Sequence, residues 1–313
     1  MCALIKKAIN EKPVKPFLKW AGGKRQLLHH FAGMYPQVLQ EGKIINYYEP
    51  FLGSGAVFFD IMQRFSIENA LLSDINSDLV LTYQVIQAKV AELTDVLLKH
   101  EKKYLALNDT GRQHYFYEQR TLFNQEKLLV NSGTQTAKRV ARAARLIFLN
   151  RTCYNGLFRV NAAGHFNTPA GDYKKPSICD AENLLAVSGL LGMATIKKAG
   201  FTTALKNIRP ASFVYLDPPY RPLSKTASFT AYSKGAFGDE QQSKLAGIYR
   251  QLHEKGAALM LSNSDTKDKF FDRLYTGFHI SRVPARRLIN ADASKRGHVQ
   301  EIVVTNYDGP GLC

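Results

Sequence analysis

Short apolar, β-prone runs that alternate with helical stretches restrict this chain more than any other feature. Residues 44–48 (IINYY) end at Glu49-Pro50-Phe51 and a glycine turn, and a helical stretch follows from Ala56. Residues 70–73 (ALLS) end at Asp74. The same pattern returns after residue 205: residues 212–216 (SFVYL) end at Asp217, and residues 256–262 (GAALMLS) and 301–307 (EIVVTNY) follow as further strands. Strands that alternate with helices predict a parallel sheet covered on both faces. Between about 96 and 204 the character changes to long, charged helical stretches. Lys138, Arg139, Arg142 and Arg145 recur along a helix that also carries Val140, Ala144, Leu146 and Ile147. A Gly/Asn/Pro-rich stretch from Tyr154 to Pro176 follows, where residues 157–161 and 165–167 are expected to pair as a hairpin across Ala162-Ala163-Gly164. The expected organisation is therefore an α/β sheet domain in two parts, 1–95 and 205–313, split by a basic insertion at 96–204.

With 313 residues and a hydrophobic fraction of 45%, a packed core is expected rather than disorder. No apolar run reaches the length of a membrane span, and no membrane partner is expected. The basic N-terminus, MCALIKKAINEKPVK, is followed by no apolar stretch or small-residue cleavage site, so a signal peptide is not expected. Cys2, Cys153, Cys179 and Cys313 are scattered, without a CxxC pair or zinc spacing. They suggest a reduced, cytoplasmic protein without a structural metal. The formal charge of +16 leaves two readings open: attraction of a polyanion, or a generic basic surface. The cluster Arg282, Arg286, Arg287, Lys295 and Arg296 is open in the same way, as backbone-phosphate contacts or as a solvated loop.

Three runs carry chemistry. In Glu49-Pro-Phe-Leu-Gly-Ser-Gly55, two glycines at a strand-to-helix turn let a ligand approach the backbone at the carboxyl edge of a parallel sheet. A nicotinamide fingerprint needs a third small residue where this chain has Phe58, and a phosphate loop needs a Gly-Lys-Ser/Thr that is absent. Asp74, about 20 residues on, is placed to accept hydrogen bonds from both ribose hydroxyls of a nucleoside, or to cap a helix. Asp217-Pro218-Pro219-Tyr220 follows a buried strand. There Asp217 and the rigid Pro218 carbonyl are two acceptors for an amine, and Tyr220 offers a flat face on which a base can stack.

Lys19-Trp20-Ala21-Gly22-Gly23-Lys24, EPFLGSG, LLSDINSDL, NRTCYNGLFRVN, FNTPAGDYKKP, DPPYRPLSKTASFTAY and EIVVTNY occur in one order. Together they resemble the Dam-type DNA adenine methyltransferases, whose target is the adenine of GATC. The likeness runs from about Lys15 to Tyr307, and the YNGLFRVN region is its discriminating part, because DPPY alone also occurs in enzymes that methylate cytosine, RNA or protein. The resemblance implies a Rossmann-like S-adenosylmethionine-dependent methyltransferase sheet with an inserted, mostly helical DNA-recognition domain carrying the β-hairpin. It implies that Asp217, Pro218 and Tyr220 are catalytic. Trp20, Lys24, Phe51, Gly53, Gly55, Asp74 and Asp217 would hold S-adenosylmethionine, with Trp20 packed on the cofactor and Lys24 meeting its carboxylate. Lys19, Tyr154, Asn155, Leu157, Arg159, Pro169 and Tyr173 would contact double-stranded DNA. Arg159 and Lys19 suit the O6/N7 edge of guanine, Leu157 and Pro169 a thymine methyl, and Tyr154 the gap left by an extruded adenine. Phe229 and Tyr232 would help close over substrate.

One departure stands out: relatives typically carry a basic residue where this chain has Asp172, which is unfavourable beside phosphates unless Lys174 or Lys175 offsets it. Other acceptors remain open on the residues alone, namely cytosine N4 in DNA or adenine in RNA, as does a DNA-binding protein without turnover. No obligate protein partner is implied. A cognate restriction endonuclease, a role in replication or repair, and a phage setting are all open.

Overall fold

The computed structural model describes residues 12–126, 136–221, 237–266, 268–286 and 298–308. Seven strands form one sheet in the order β3-β2-β1-β4-β5-β7-β6. They are β1 (Asn46–Glu49), β2 (Asn69–Asp74), β3 (Ala194–Lys198), β4 (Ser212–Leu216), β5 (Ala258–Ser264), β6 (His279–Arg286) and β7 (His298–Thr305). The pairs β1/β2, β1/β4, β2/β3 and β4/β5 are parallel, whereas β7 runs antiparallel to β5 and β6. All residues of β1 and β4 are buried, as a central parallel strand covered on both faces requires. Their side chains join a core in which Tyr48, Val214 and Leu216 meet Leu245 and Tyr249 of the helix Asp239–Glu254 and Leu259, Leu261, Ile302 and Val304 of the neighbouring strands. This is the α/β architecture, with a parallel sheet at its centre, expected from the sequence.

The described residues fall into two compact units. One holds the sheet and comprises Lys24–Leu52, Ala56–Ile75 and Met193–Cys313; the other is mainly helical and comprises Met1–Gly23, Gly53–Gly55 and Asn76–Gly192. The boundary expected after residue 95 falls inside the helix Ser77–Ala106, which begins directly after β2 with Asn76 as N-cap and deviates from helical geometry at Lys89. Residues 194–198, expected to belong to the helical insertion, instead form the strand β3, which was not expected and pairs with β2 in the sheet. The strand β6 was not expected either. It lies at the sheet edge, where Pro284 interrupts no ladder on its outer side.

In the helical unit, Ser77–Ala106 packs against Thr136–Thr152 and Ala181–Leu191, and Asp109–Gln125 against Thr136–Thr152. The basic residues of Thr136–Thr152 point several ways. Arg142 is 1% exposed and paired with Asp78, Arg145 bonds Glu126 and Gln119, and Arg139 bonds Gln84. The expected hairpin closes through Asn161 N–H to His165 O at 2.9 Å and Asn167 N–H to Arg159 O at 3.0 Å, but forms only one bridge, Val160–Phe166. The buried edge is completed by Asn124, whose amide accepts from Phe166 N–H at 2.8 Å and donates to Phe166 O at 3.1 Å. Among the described residues, no helix is long and apolar enough to cross a membrane.

Candidate active site and nucleic-acid interface

The strands β1 and β4 are neighbours, yet the chain leaves β1 toward β2 on one side and β4 toward β5 on the other. This is a topological switch point, where open parallel sheets bind ligands at their carboxyl edge. Glu49, Asp74 and Asp217 stand at the ends of β1, β2 and β4. Glu49 is 2% exposed and accepts a 2.7 Å hydrogen bond from the Tyr47 hydroxyl. Burial pushes its carboxyl well above the usual carboxylate range, and the charges of Asp217 and Asp74 add to the effect. After β1, Leu52 N–H bonds Ser73 O. Phe51 is half-buried and stacks on Phe201, with ring centroids 5.6 Å apart. Gly53 and Gly55 take φ of 48° and 68°, left-handed values that explain why both positions are glycine. In the helical unit, the Tyr83 hydroxyl donates to Gly53 O at 3.2 Å. Asp74 is half-buried, and Ile75 beside it is 72% exposed, unusual for a large aliphatic side chain at the end of a core strand.

Asp217 belongs to a cluster of four side chains in the sheet unit. Lys24, at the start of a single 3-10 turn, has a side chain only 3% exposed. Its ammonium lies 2.8 Å from Asp217 Oδ1 and 3.4 Å from Glu301 Oε2, and donates to the Tyr220 hydroxyl at 3.0 Å. The Tyr220 hydroxyl in turn donates to Glu301 Oε1 at 2.5 Å. Ser262 Oγ, itself 2.7 Å from the Tyr215 hydroxyl, donates to Asp217 Oδ1 at 3.4 Å. Burial opposes the charge on Lys24, but Asp217, Tyr220 and Glu301 outweigh it and hold the amine above the ordinary lysine range. Burial pushes the Asp217 carboxyl up, Lys24 pulls it down and Glu301 pushes it up again, leaving it at about 6. The Tyr220 phenol is raised above its ordinary range, chiefly by burial.

The two prolines of the motif differ. Pro219 O accepts from Gln242 Nε2 at 3.1 Å, while among the described residues Pro218 O accepts no hydrogen bond. Arg221, directly after the motif, is tied to Asp239 and Asp268 and lies over the Phe270 ring. Lys24 thus has two protein carboxylates as partners, where the sequence led us to expect the carboxylate of a cofactor. Glu301, Ser262, Gln242 and Ile75 were not anticipated. The signal for Glu301 was an acid opening the apolar run EIVVTNY, and that for Ile75 was an apolar residue directly after Asp74. Phe229 and Tyr232 lie outside the described residues, as do Arg287, Lys295 and Arg296. Of that basic cluster, Arg282 is paired with Asp265 at 2.9 Å and with Asp272 at 2.8 Å.

The helical unit gathers the expected DNA-contacting residues around one buried amide. Asn150 accepts from Lys19 N–H at 2.9 Å and donates to Lys19 O and Gly156 O, each at 2.8 Å. It thereby joins the segment bearing Lys19 to the turn Tyr154–Gly156. Asn155 and Gly156 both have positive φ, and a Cβ on Gly156 would lie 2.4 Å from Lys19 Cδ. Lys19 is exposed, with its ammonium 5.0 Å from the centre of the Tyr173 ring. Tyr154 is 47% exposed, and its N–H bonds Pro169 O at 2.9 Å. Leu157 is half-buried, and its carbonyl accepts from Thr168 Oγ1 at 2.7 Å. Arg159 is exposed and held by Asn167, with Nε 2.8 Å from Oδ1. Trp20, expected on the cofactor, stacks on Phe158 with centroids 5.2 Å apart. Asp172 is exposed. The Cys153 thiol is buried and pushed up to about 12, so it is protonated at neutral pH.

A switch-point site with Asp-Pro-Pro-Tyr in one unit, and exposed basic and aromatic side chains in the other, match one class of protein. The chain belongs to the D12 class of N6 adenine-specific DNA methyltransferases, whose family model matches residues 20–289. Its relatives narrow the class. It is 45% identical over 295 residues to the Type II methyltransferase M.MjaIII of Methanocaldococcus jannaschii, covering 94% of this chain and 99% of that one. It is 36% identical to the Type II methyltransferase M1.LlaDCHI of Lactococcus lactis subsp. cremoris, over 95% of this chain and 97% of that one. It is 33% identical to the DNA adenine methylase of Escherichia coli K12, over the same shares of 95% and 97%. Adenine-N6 methylation of DNA, the reaction class expected from the sequence, is therefore that of its family.

Proposed function

We propose that the protein transfers the methyl group of S-adenosylmethionine to N6 of the adenine in duplex GATC, by base flipping and direct transfer. The observation that carries this reading is Asp217 at the β1/β4 switch point, a carboxylate with Oδ1 held by Lys24 and Ser262. That leaves its second oxygen for the amine of a flipped adenine. Pro218 O supplies the other acceptor, and the partly exposed Tyr220 ring supplies a stacking face for the base. Two acceptors on one amine shift electron density toward its nitrogen and stabilise the positive charge that develops during attack. The residues fit a nucleoside cofactor: Asp74 suits the ribose hydroxyls, the exposed Ile75 suits an apolar contact with its base, and Phe51, Gly53 and Gly55 follow the adjacent strand β1. When bound, S-adenosylmethionine supplies an activated methyl group that carries its own leaving group.

In this reading the sheet unit performs the chemistry and the helical unit reads double-stranded DNA. Lys19, Tyr154, Asn155, Leu157, Arg159, Pro169 and Tyr173 are the proposed contacts, and Trp20 shapes the reading surface through Phe158. Two relatives named as Type II methyltransferases favour a restriction–modification setting with a cognate endonuclease.

The reading is tested by transfer of labelled methyl from S-adenosylmethionine to three duplexes: one containing GATC, one with that adenine already N6-methylated on both strands, and one scrambled. Label on the first alone is the expected result. Label on the first two moves the target elsewhere, and label on all three removes the proposed specificity.

Arg159→Ala is a second test. Its guanidinium is fixed by Asn167 through one edge, leaving the rest for a guanine. The expected outcome is a loss of about 10- to 100-fold in discrimination between GATC and sites altered at a guanine, equivalent to about 1–3 kcal/mol. Ratios of kcat/KM on the two duplexes measure it, and an unchanged ratio removes Arg159 from the recognition set.

A further inference from the structure

We propose that Glu301 is a positioning residue of the active site, which sets the Tyr220 ring through its hydroxyl and, jointly with Asp217, fixes the Lys24 ammonium. The inference rests on the reading of Asp217 and Tyr220 as the residues that receive adenine. Glu301 lies near the start of β7, opposite Ser264 of β5 and Val283 of β6, and is 4% exposed. It therefore acts through its neighbours rather than by touching substrate. Oε1 accepts a hydrogen bond from the Tyr220 hydroxyl at 2.5 Å, and Oε2 stands 3.4 Å from the Lys24 ammonium. Lys24 donates to the same hydroxyl at 3.0 Å. A hydroxyl that both accepts from an ammonium and donates to a carboxylate has one position, so the ring is ordered before a base arrives.

The charges support the same role. Two carboxylates share one ammonium, which leaves an excess negative charge in a buried place. A matched pair would be cheaper if the cluster served only folding. The excess instead favours an amine that becomes positive during attack, with Asp217 as the member best able to meet it, since its side chain is 20% exposed against 3% for Lys24 and 5% for Glu301. The titratable groups facing Asp217 are Lys24 on the 3-10 turn, Glu49 ending β1, Tyr215 on β4, Tyr220 in the motif and Glu301 on β7. The negative charge of Glu301 opposes ionisation of Asp217, and its substitution leaves the motif itself intact.

The test is Glu301→Gln, examined first in cofactor-free protein carrying ¹³C-labelled aspartate, where the Asp217 carboxyl is titrated by NMR. The wild-type carboxyl is expected to titrate near 6, and that of E301Q about one pH unit lower, because a negative neighbour has been removed. On the duplex that the wild-type protein methylates, kcat is expected to fall about 10- to 100-fold, with KM for DNA nearly unchanged. An Asp217 titration or a kcat that does not move overturns the proposal. Glu301→Asp is the second variant: it keeps the charge and withdraws it by one methylene. Its Asp217 titration is expected to stay near the wild-type value while kcat remains low, and full kcat in E301D overturns the positioning role. The titration requires no turnover, so a wild-type protein inactive on every DNA refutes the proposed function without deciding the role of Glu301.

Discussion

Asp217→Ala is expected to lower kcat by about 10³-fold or more while leaving the protein folded. The size follows from what the carboxylate does: loss of one preorganised group at the site where charge develops costs about 10²–10³-fold, or about 2.7–4 kcal/mol, and here that group also carries the charge. Persistence of the fold follows from the cluster. Removing Asp217 leaves the Lys24 ammonium with Glu301 and the Tyr220 hydroxyl, so no buried charge is stranded. Single-turnover methyl transfer measures the loss, and thermal unfolding checks the fold. Activity within tenfold of wild type would remove Asp217 from the chemistry.

The same residue sets an acid limb. Asp217 stabilises the positive charge that develops on the amine only when ionised, and its carboxyl is held at about 6 by burial and Glu301 against the pull of Lys24. Transfer should therefore be full well above pH 6 and fall about tenfold per pH unit below it.

The sequence was most legible where one physical demand ruled. A central parallel strand must be apolar along its whole length, and Ser212–Leu216 could be read as one, down to the acid at its end. It was least legible at the sheet edges. In β3 only Ala194 and Ile196 are buried, so Ala-Thr-Ile-Lys-Lys resembles the charged block before it. In β6 the run His279–Arg286 carries three cationic or titratable side chains and Pro284, a residue that a strand tolerates at a sheet edge. The active site divided along similar lines. Asp217, Pro218 and Tyr220 are contiguous and carry their own signal, whereas Lys24 and Glu301 reach the same cluster from distant parts of the chain. Nothing local to Lys24 said that its partners would be two carboxylates. Charge was the most misleading quantity. Arg142, Arg145 and Arg282 all contribute to the excess of +16, yet each is paired with a carboxylate.

Arg142 shows what such a pairing implies for stability, and Arg142→Ala is expected to destabilise the helical unit by about 3–5 kcal/mol. Its side chain is 2% exposed, with Nε 2.7 Å from Asp78 Oδ1, Nη1 donating to Phe123 O at 2.6 Å and the guanidinium 4.1 Å from the centre of the Phe123 ring. Truncation strands the Asp78 carboxylate, orphans a buried carbonyl and empties the space over the ring. The N-terminal turn of the helix Ser77–Ala106, where Asp78 lies, offsets only a fraction of that cost, about 0.3–1 kcal/mol. Because the chain has two units, one global unfolding curve would average over them. Hydrogen exchange of the amides of Ser77–Ala106 reads the helical unit directly, and those amides should lose protection by the stated amount. Arg142→Met with Asp78→Asn should recover at least half of it, since neither unpaired charge then remains. If the double variant were as unstable as Arg142→Ala, shape rather than charge would account for the buried arginine.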